Sequence, residues 1–261
     1  MKLKAICAII TVCLFTGTLF VNGGYDTTSV SDIETYTLLA SCFPVYALTE
    51  AIINDAPGLS FDLLTLPRTE GYSAYELSDW EAALIQSADM FICFGRGFES
   101  FDTGYLSDEC ITLTLLGNEQ LLAYEDGSQA NENPYVYLST GGTRMLLGKI
   151  ASAMNAVDPG FADTYDRNLN TALQLLDSIK ALPIDSGIAL CIEPMFAYML
   201  SDTDYNVYYA VSDEEIADLP ENTVDLRGKM DIMLDMDESF SFTDYIGALY
   251  SNYSLLYEVA E

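Results

Sequence analysis

Asp158-Pro-Gly-Phe-Ala-Asp-Thr-Tyr-Asp-Arg-Asn-Leu-Asn-Thr-Ala-Leu-Gln-Leu-Leu-Asp-Ser-Ile-Lys-Ala-Leu182, closed by Pro183, is the stretch that sets the architecture. Asp158 suits an N-cap, and Pro159 suits the first helical position, where a missing N–H costs nothing. Phe161, Tyr165, Leu169, Leu173, Leu176 and Ile179 recur at three- and four-residue steps, which places them on one helix face. Asp163 in the first turn and Lys180 in the last both complement the helix dipole. At about 1.5 Å per residue the helix would be about 36 Å long, roughly the diameter of a small domain. Strand and helix patterns lie on both sides of it. The segment therefore predicts a rigid spine between two α/β lobes; the alternative is one more helix on a single sheet.

Working back from the spine, Thr140 to Asn155 reads as a helix and Gly117 to Pro134 as a polar surface loop. Before that, strand and helix patterns alternate. Tyr36 to Cys42, Ser60 to Leu66, Asp89 to Gly95 and Ile111 to Leu116 are strand-like. Pro44 to Asp55 and Phe98 to Leu106 are helical. Ser78 opens a further helix with Glu81 completing a capping box, and Trp80, Leu84 and Ile85 are expected to face inward. A loop rich in turn residues, Pro67 to Glu76, separates the second strand from that helix. Beyond the spine, Gly187 to Ile192, Tyr205 to Val211 and Met230 to Leu234 are strand-like. Pro194 to Ser201 and the segment opening at Ser212 form short helices, and Thr243 to Val259 forms an amphipathic one. This alternation argues parallel sheets, whose ligands sit beyond the carboxyl ends of the strands. The divisions expected are 35–157 for the first lobe, 158–182 for the connecting helix and 183–261 for a shortened second lobe.

Met-Lys-Leu-Lys, the apolar run Ala5 to Phe20 and Val-Asn-Gly-Gly form an export signal, with Val21 and Gly23 at the −3 and −1 positions. Cleavage is expected near Gly23, residues 24–34 reading as a tether; retention as a membrane anchor is the alternative. Cys13 follows Ile-Thr-Val and makes a poor lipid-attachment site. The protein is thus expected in the cell envelope or outside the cell. Losing Lys2 and Lys4 takes the basic count from 10 to 8 against 40 acidic residues, and the net charge from −30 to −32. That charge excludes nucleic acid as a partner and favours cations. There is no histidine, so no Ser-His-Asp, Cys-His or HExxH chemistry exists. Neither GxGxxG nor a P-loop is present. Cys42, Cys93, Cys110 and Cys191 are widely spaced; Cys42, Cys93 and Cys191 sit in apolar runs that read as buried strands, where cysteine serves as a small hydrophobe, and an exported chain has room for one disulfide among the four, with no pairing defined by the sequence.

The order of motifs resembles the cluster A-I substrate-binding proteins of metal ABC importers, the TroA-like zinc and manganese binders. Ala40-Ser-Cys-Phe-Pro-Val-Tyr46 is similar to the family's opening Ser-x-Tyr/Phe-Pro-x-Tyr. Tyr75-Glu-Leu-Ser-Asp-Trp80 through Ser87-Ala-Asp-Met-Phe-Ile-Cys-Phe-Gly95 is similar to Glu-Pro-Thr-Pro-x-Asp…Ala-Asp-Leu…Gly. Gly97-Phe-Glu-Ser-Phe101 resembles Gly-x-x-Leu/Phe-Glu-x-Trp, and Asn133-Pro-Tyr-Val-Tyr-Leu138 resembles Asp-Pro-His-x-Trp-Leu. Asp158-Pro159 and Tyr165 fall where the family's connecting helix starts, and Asp244-Tyr245 to Asn252 resembles its closing helix. The resemblance covers nearly all of the mature chain. It implies two α/β lobes bridged by one long rigid helix, a divalent cation as transported ligand (Mn, Zn or Ca), an ABC permease as partner, and a monomer.

The departures fall on the ligand positions. The family's four ligands map to Ser73, where it has histidine; Tyr135, where it has histidine; Glu193 in Ile192-Glu-Pro-Met-Phe-Ala-Tyr198; and Asp235, with Asp231 and Asp237 close enough to shift the register. Two carboxylates and two hydroxyls make a hard oxygen site suited to Ca²⁺, Mg²⁺ or Mn²⁺ more than Zn²⁺. The alternatives are loss of metal binding at Ser73 and Tyr135, helix-capping or solvated roles for Glu193 and Asp235, and soft ligation by Cys42 or Cys191. The leading expectation is an extracytoplasmic solute-binding protein for a divalent cation. A binding or adhesion module that no longer holds metal is the second. An enzyme using Glu193 and Asp235 as paired acids is the third and weakest, and the chain is expected not to be one.

Overall fold

The computed structural model describes residues 36–64, 76–96, 98–99, 110–125, 130–179, 189–201, 205–209, 213–234 and 236–260. Strands β1 (Tyr36–Ala40), β2 (Leu59–Leu63), β3 (Met90–Cys93) and β4 (Ile111–Thr114) form a parallel sheet of order β2-β1-β3-β4. The two inner strands are apolar at successive positions because both faces are covered. Leu38, Ala40, Met90 and Ile92 point into one core, and Leu39, Phe91 and Cys93 into another beneath helix α2 (Asp79–Ser87). The first core lies under α1 (Phe43–Ile53), α3 (Thr140–Val157) and α4 (Ala162–Asp177).

The second sheet is smaller. Strands β7 (Ala189–Ile192), β8 (Asn206–Tyr209) and β9 (Thr223–Asp225) are parallel in the order β8-β7-β9, with short helices α5 (Ala197–Leu200) and α6 (Asp213–Ile216) beside them. The closing helix α7 (Phe242–Ala260) returns to the first lobe. Glu50 on α1 accepts a hydrogen bond from the Phe242 amide at 2.9 Å, so a carboxylate of one lobe caps a helix of the other. One apolar core runs without a break from Leu38 and Ile92 through Leu190 and Ile192 to Tyr245 and Leu256. Residues 34 to 261 are accordingly a single compact unit.

The two parallel-sheet lobes are those expected, and five details differ. First, the connecting helix is shorter: residues 159–161 form a 3₁₀ turn and α4 has 16 residues, about 24 Å. Asp158 makes no side-chain cap; its Oδ2 accepts the Tyr165 hydroxyl at 2.7 Å instead, and Gly160 resists regular helix. Asn168 holds α4 onto α1 by donating to the last-turn carbonyls of Ile52 (2.9 Å) and Asn54 (2.6 Å). Residues 180–182 lie outside the described residues. Second, the loop 117–134 contains an antiparallel pair, β5 (Ala123–Glu125) and β6 (Ala130–Glu132). Third, Trp80 is 69 % exposed: the Ser78–Glu81 capping box forms, and Glu81 with Ile85 occupies the inward face. Fourth, residues 230–234 are irregular; Met233 has φ +58 and its amide bonds to the Asp231 carboxylate at 2.7 Å. The third strand of the lobe is the shorter segment Thr223–Asp225. Fifth, Cys42, Cys93, Cys110 and Cys191 are buried free thiols, with no disulfide among the described residues. The signal segment and the expected helix at 98–106 fall mainly outside the described residues, and no described helix is long and apolar enough to cross a membrane.

Candidate metal site between the lobes

Parallel strands leave their carboxyl ends free for ligands, and here the ends of the two sheets face one seam. On the second lobe, β7 ends at Ile192 and Glu193 follows in extended conformation (φ −72, ψ 144), before Pro194 opens a 3₁₀ turn. Glu193 does not cap that turn. Its Oε1 accepts the Gly228 amide at 2.5 Å, and its Oε2 is buried with no hydrogen-bond partner. A carboxylate oxygen buried and unmatched is costly unless something positive meets it. Glu193 thus makes no side-chain capping bond to the turn it precedes.

The Gly228 amide is presented by the turn after β9. The Leu226 amide bonds to the Cys191 carbonyl at 2.9 Å, which docks the turn on the central strand. Arg227 folds back onto Asp225 (Nε–Oδ1 3.1 Å), and this hydrogen bond holds the Asp225 carboxyl below the usual carboxylate range. Gly228 adopts φ +66, a conformation that favours glycine.

On the first lobe, Tyr135 belongs to an aromatic group at the carboxyl end of the sheet. Its ring meets Phe98 edge-on (5.6 Å) and lies 6.1 Å from Tyr137, which stacks on Phe94 (5.1 Å). The lobes are pinned beside it. Asn133 Nδ2 donates to the Pro194 carbonyl at 2.9 Å, and the Tyr137 hydroxyl donates to the Ile232 carbonyl at 3.0 Å. These two bonds bring the turn carrying Tyr135, the turn carrying Glu193 and the segment leading to Asp235 to one seam. Ser73 and Asp235 themselves lie outside the described residues. Asp231 and Asp237 are engaged in their own turns, by the amides of Met233 (2.7 Å) and Ser239 (2.9 Å). Among the described residues no three of His, Cys, Asp and Glu group as a metal cluster.

Soft ligation by cysteine is not supported. Cys191 is fully buried on the central strand. Cys42 is 3 % exposed, and burial pushes its thiol far up, with Glu99 adding to the shift. Only the thiolate is a metal ligand.

Asn133, Tyr198 and Gly228 shape this seam, and residue patterns alone did not single them out as functional. Asn133 and Tyr198 lie within motifs that resemble the family's, but only the fold shows which groups they reach.

A family model described as zinc-uptake complex component A, periplasmic (ZnuA) matches residues 38–218. No curated protein sequence matches the chain. The fold is similar to the Zn(II)-bound ZnuA-like domain of Streptococcus pneumoniae AdcA, with TM-score 0.67 and 18% identity over 87% of this chain and 99% of that one. It is also similar to a mutant of the laminin-binding adhesin Lmb of Streptococcus agalactiae (TM-score 0.68, 13% identity, 87% and 100% covered). A third is the Cd-bound periplasmic metal binding protein of candidatus liberibacter asiaticus (0.66, 14%, 87% and 99%). The family match spans the first lobe, the connecting helix and the Glu193 turn, and the chain belongs to the ZnuA family of periplasmic zinc-uptake components, a family of metal-binding solute-binding proteins.

Proposed function

We propose that this protein captures a hard divalent cation in the cleft between its lobes and passes it to an ABC permease outside the cytoplasm. The observation that carries the reading is Glu193: one oxygen fixed by Gly228, the other buried and unmatched at the inter-lobe seam. Ser73, Tyr135 and Asp235 would complete the site. With no histidine in the chain, the donors are oxygens, which favours Mn²⁺ or Ca²⁺ over Zn²⁺. The chain's net charge of −30 would raise the local cation concentration. Export through the amino-terminal signal, with cleavage near Gly23, and action as a monomer belong to the same proposal.

Binding stabilises the folded state by RT ln(1 + [L]/Kd), about 2.7 kcal/mol at a hundredfold excess over Kd. The expected result is a rise in melting temperature with Mn²⁺ or Ca²⁺ larger than with Zn²⁺, lost in the Glu193→Gln/Asp235→Asn double variant. The comparison is made at matched ionic strength, where general screening of the acidic surface cancels. Equal shifts in parent and variant would reduce the cation to a counterion. The second reading, a binding or adhesion module without metal, would then lead; the likeness to a laminin-binding adhesin and the tyrosine in place of a ligand histidine speak for it.

A further inference from the structure

Asn133 has no exposed surface, and each of its four polar groups is engaged. Its amide donates to the Leu122 carbonyl at 2.7 Å, and its carbonyl accepts the Tyr198 hydroxyl at 2.9 Å. Its side-chain oxygen accepts the Tyr135 amide at 2.9 Å, and its side-chain nitrogen donates to the Pro194 carbonyl at 2.9 Å. The Tyr198 hydroxyl also accepts the Leu122 amide at 2.9 Å. Pro194 and Tyr198 belong to the second lobe; Leu122, Asn133 and Tyr135 belong to the first. One buried side chain and one phenol therefore tie the base of the β5–β6 hairpin and the Tyr135 turn to the turn that begins at Glu193.

The chemistry of the tie requires an amide. The motif that Asn133-Pro134 resembles begins with aspartate. An ionised carboxylate accepts hydrogen bonds but cannot donate one to the Pro194 carbonyl. Such a carboxylate would still accept the Tyr135 amide, but it would leave the Pro194 carbonyl unpaired in a buried seam, which costs more than the bond itself gains. Tyr198 complements Asn133: burial raises its pKa, so its hydroxyl stays protonated and can donate.

We infer that Asn133 is a positioning residue, which with Tyr198 fixes the Tyr135 turn against the Glu193 turn so that the cation site is preformed before the ligand arrives. The inference rests on the cation-capture reading for its consequence, though not for the bracket itself. A protein whose competent arrangement is fully populated binds at its intrinsic Kd; one competent a tenth of the time binds about tenfold more weakly.

The test uses the full mature chain with Ca²⁺ as the probe. Spin labels placed at the exposed positions Gln86 and Glu221, one on each lobe, report the inter-lobe distance distribution by pulsed dipolar spectroscopy. Calorimetry gives the Ca²⁺ affinity. The parent should show one narrow distribution with and without Ca²⁺. Asn133→Ala should broaden the metal-free distribution, regain the narrow one when Ca²⁺ is added, and bind Ca²⁺ about tenfold more weakly. Tyr198→Phe removes only a hydroxyl and should act in the same direction to a smaller extent; it carries the test if Asn133→Ala does not fold. A residue that merely stabilised the fold would lower the melting temperature while leaving the distance distribution and the affinity at parental values, and that result would overturn the inference. If the parent binds no Ca²⁺, cation capture fails, and the metal-free distances alone decide whether the bracket exists.

Discussion

Glu99 shows how single residues hold the floor of the first lobe. It is 8 % exposed, and its carboxyl accepts the Ser41 hydroxyl (2.6 Å) and the amides of Phe94 (2.8 Å) and Gly95 (2.7 Å). Burial pushes the carboxyl up and these three donors pull it down, with burial prevailing. A carboxyl whose folded-state pKa lies above its unfolded value binds its proton more tightly when folded. Ionising it therefore costs stability, a cost absent well below the unfolded pKa and growing as pH rises through the folded one. Ser41→Ala takes away one donor, which makes the ionised form harder to hold. The variant should lose about 1.5–3 kcal/mol at a pH where Glu99 is ionised and less at about pH 3, below the ordinary carboxyl range, where Glu99 is protonated in both states. Urea denaturation at the two pH values measures this. A deficit larger at the acid pH would contradict the roles assigned to the pair. The Ser41 and Glu99 positions were legible as family motifs in the sequence; their meeting across 58 residues was not, because it depends on which way β1 and β3 pair.

Among the elements, the turn after β9 matters most to the site. Its Gly228 lies at φ +66 with open space where a Cβ would sit, so alanine would be strained by conformation and not by crowding. Gly228→Ala should cost about 1–2 kcal/mol. It should also weaken cation binding, because the amide that fixes Glu193 would shift. Thermal unfolding and a Ca²⁺ titration check both effects. A variant with the parental melting temperature and affinity would show that this turn does not hold Glu193. The long elements of the fold were readable because periodicity accumulates over many residues, as in α3, α4 and α7. The short ones were not. Thr223–Asp225 and the β5–β6 pair have three residues per strand, too few to show alternation. Met230 to Leu234 has strand-like composition, but the Asp231 carboxylate and the Asn252 side chain, which binds both the amide and the carbonyl of Asp231 at 2.8 Å, capture its backbone first.

Taken whole, the molecule is stitched between lobes largely by tyrosine hydroxyls. Tyr137 reaches Ile232, Tyr198 reaches Asn133, Tyr245 reaches the Tyr137 carbonyl at 2.6 Å, and Tyr253 receives the Thr140 amide at 3.2 Å. With one apolar core shared by both lobes, this leaves little room for hinge closure. The two-lobe plan was legible because the order of strand and helix signals carries it. The candidate site was named in the sequence only by resemblance, as four positions of which Ser73 and Asp235 lie outside the described residues, since without histidine the ligand types gave no spacing signature of their own. Cation capture requires an ion that meets Glu193. Crystals grown with Mn²⁺ and measured at the manganese absorption edge test this directly. The predicted result is one anomalous peak in the inter-lobe seam, about 2.0–2.6 Å from Glu193 Oε2, the range of hard cation–oxygen contacts. Peaks confined to surface carboxylates, with none beside Glu193, would contradict it.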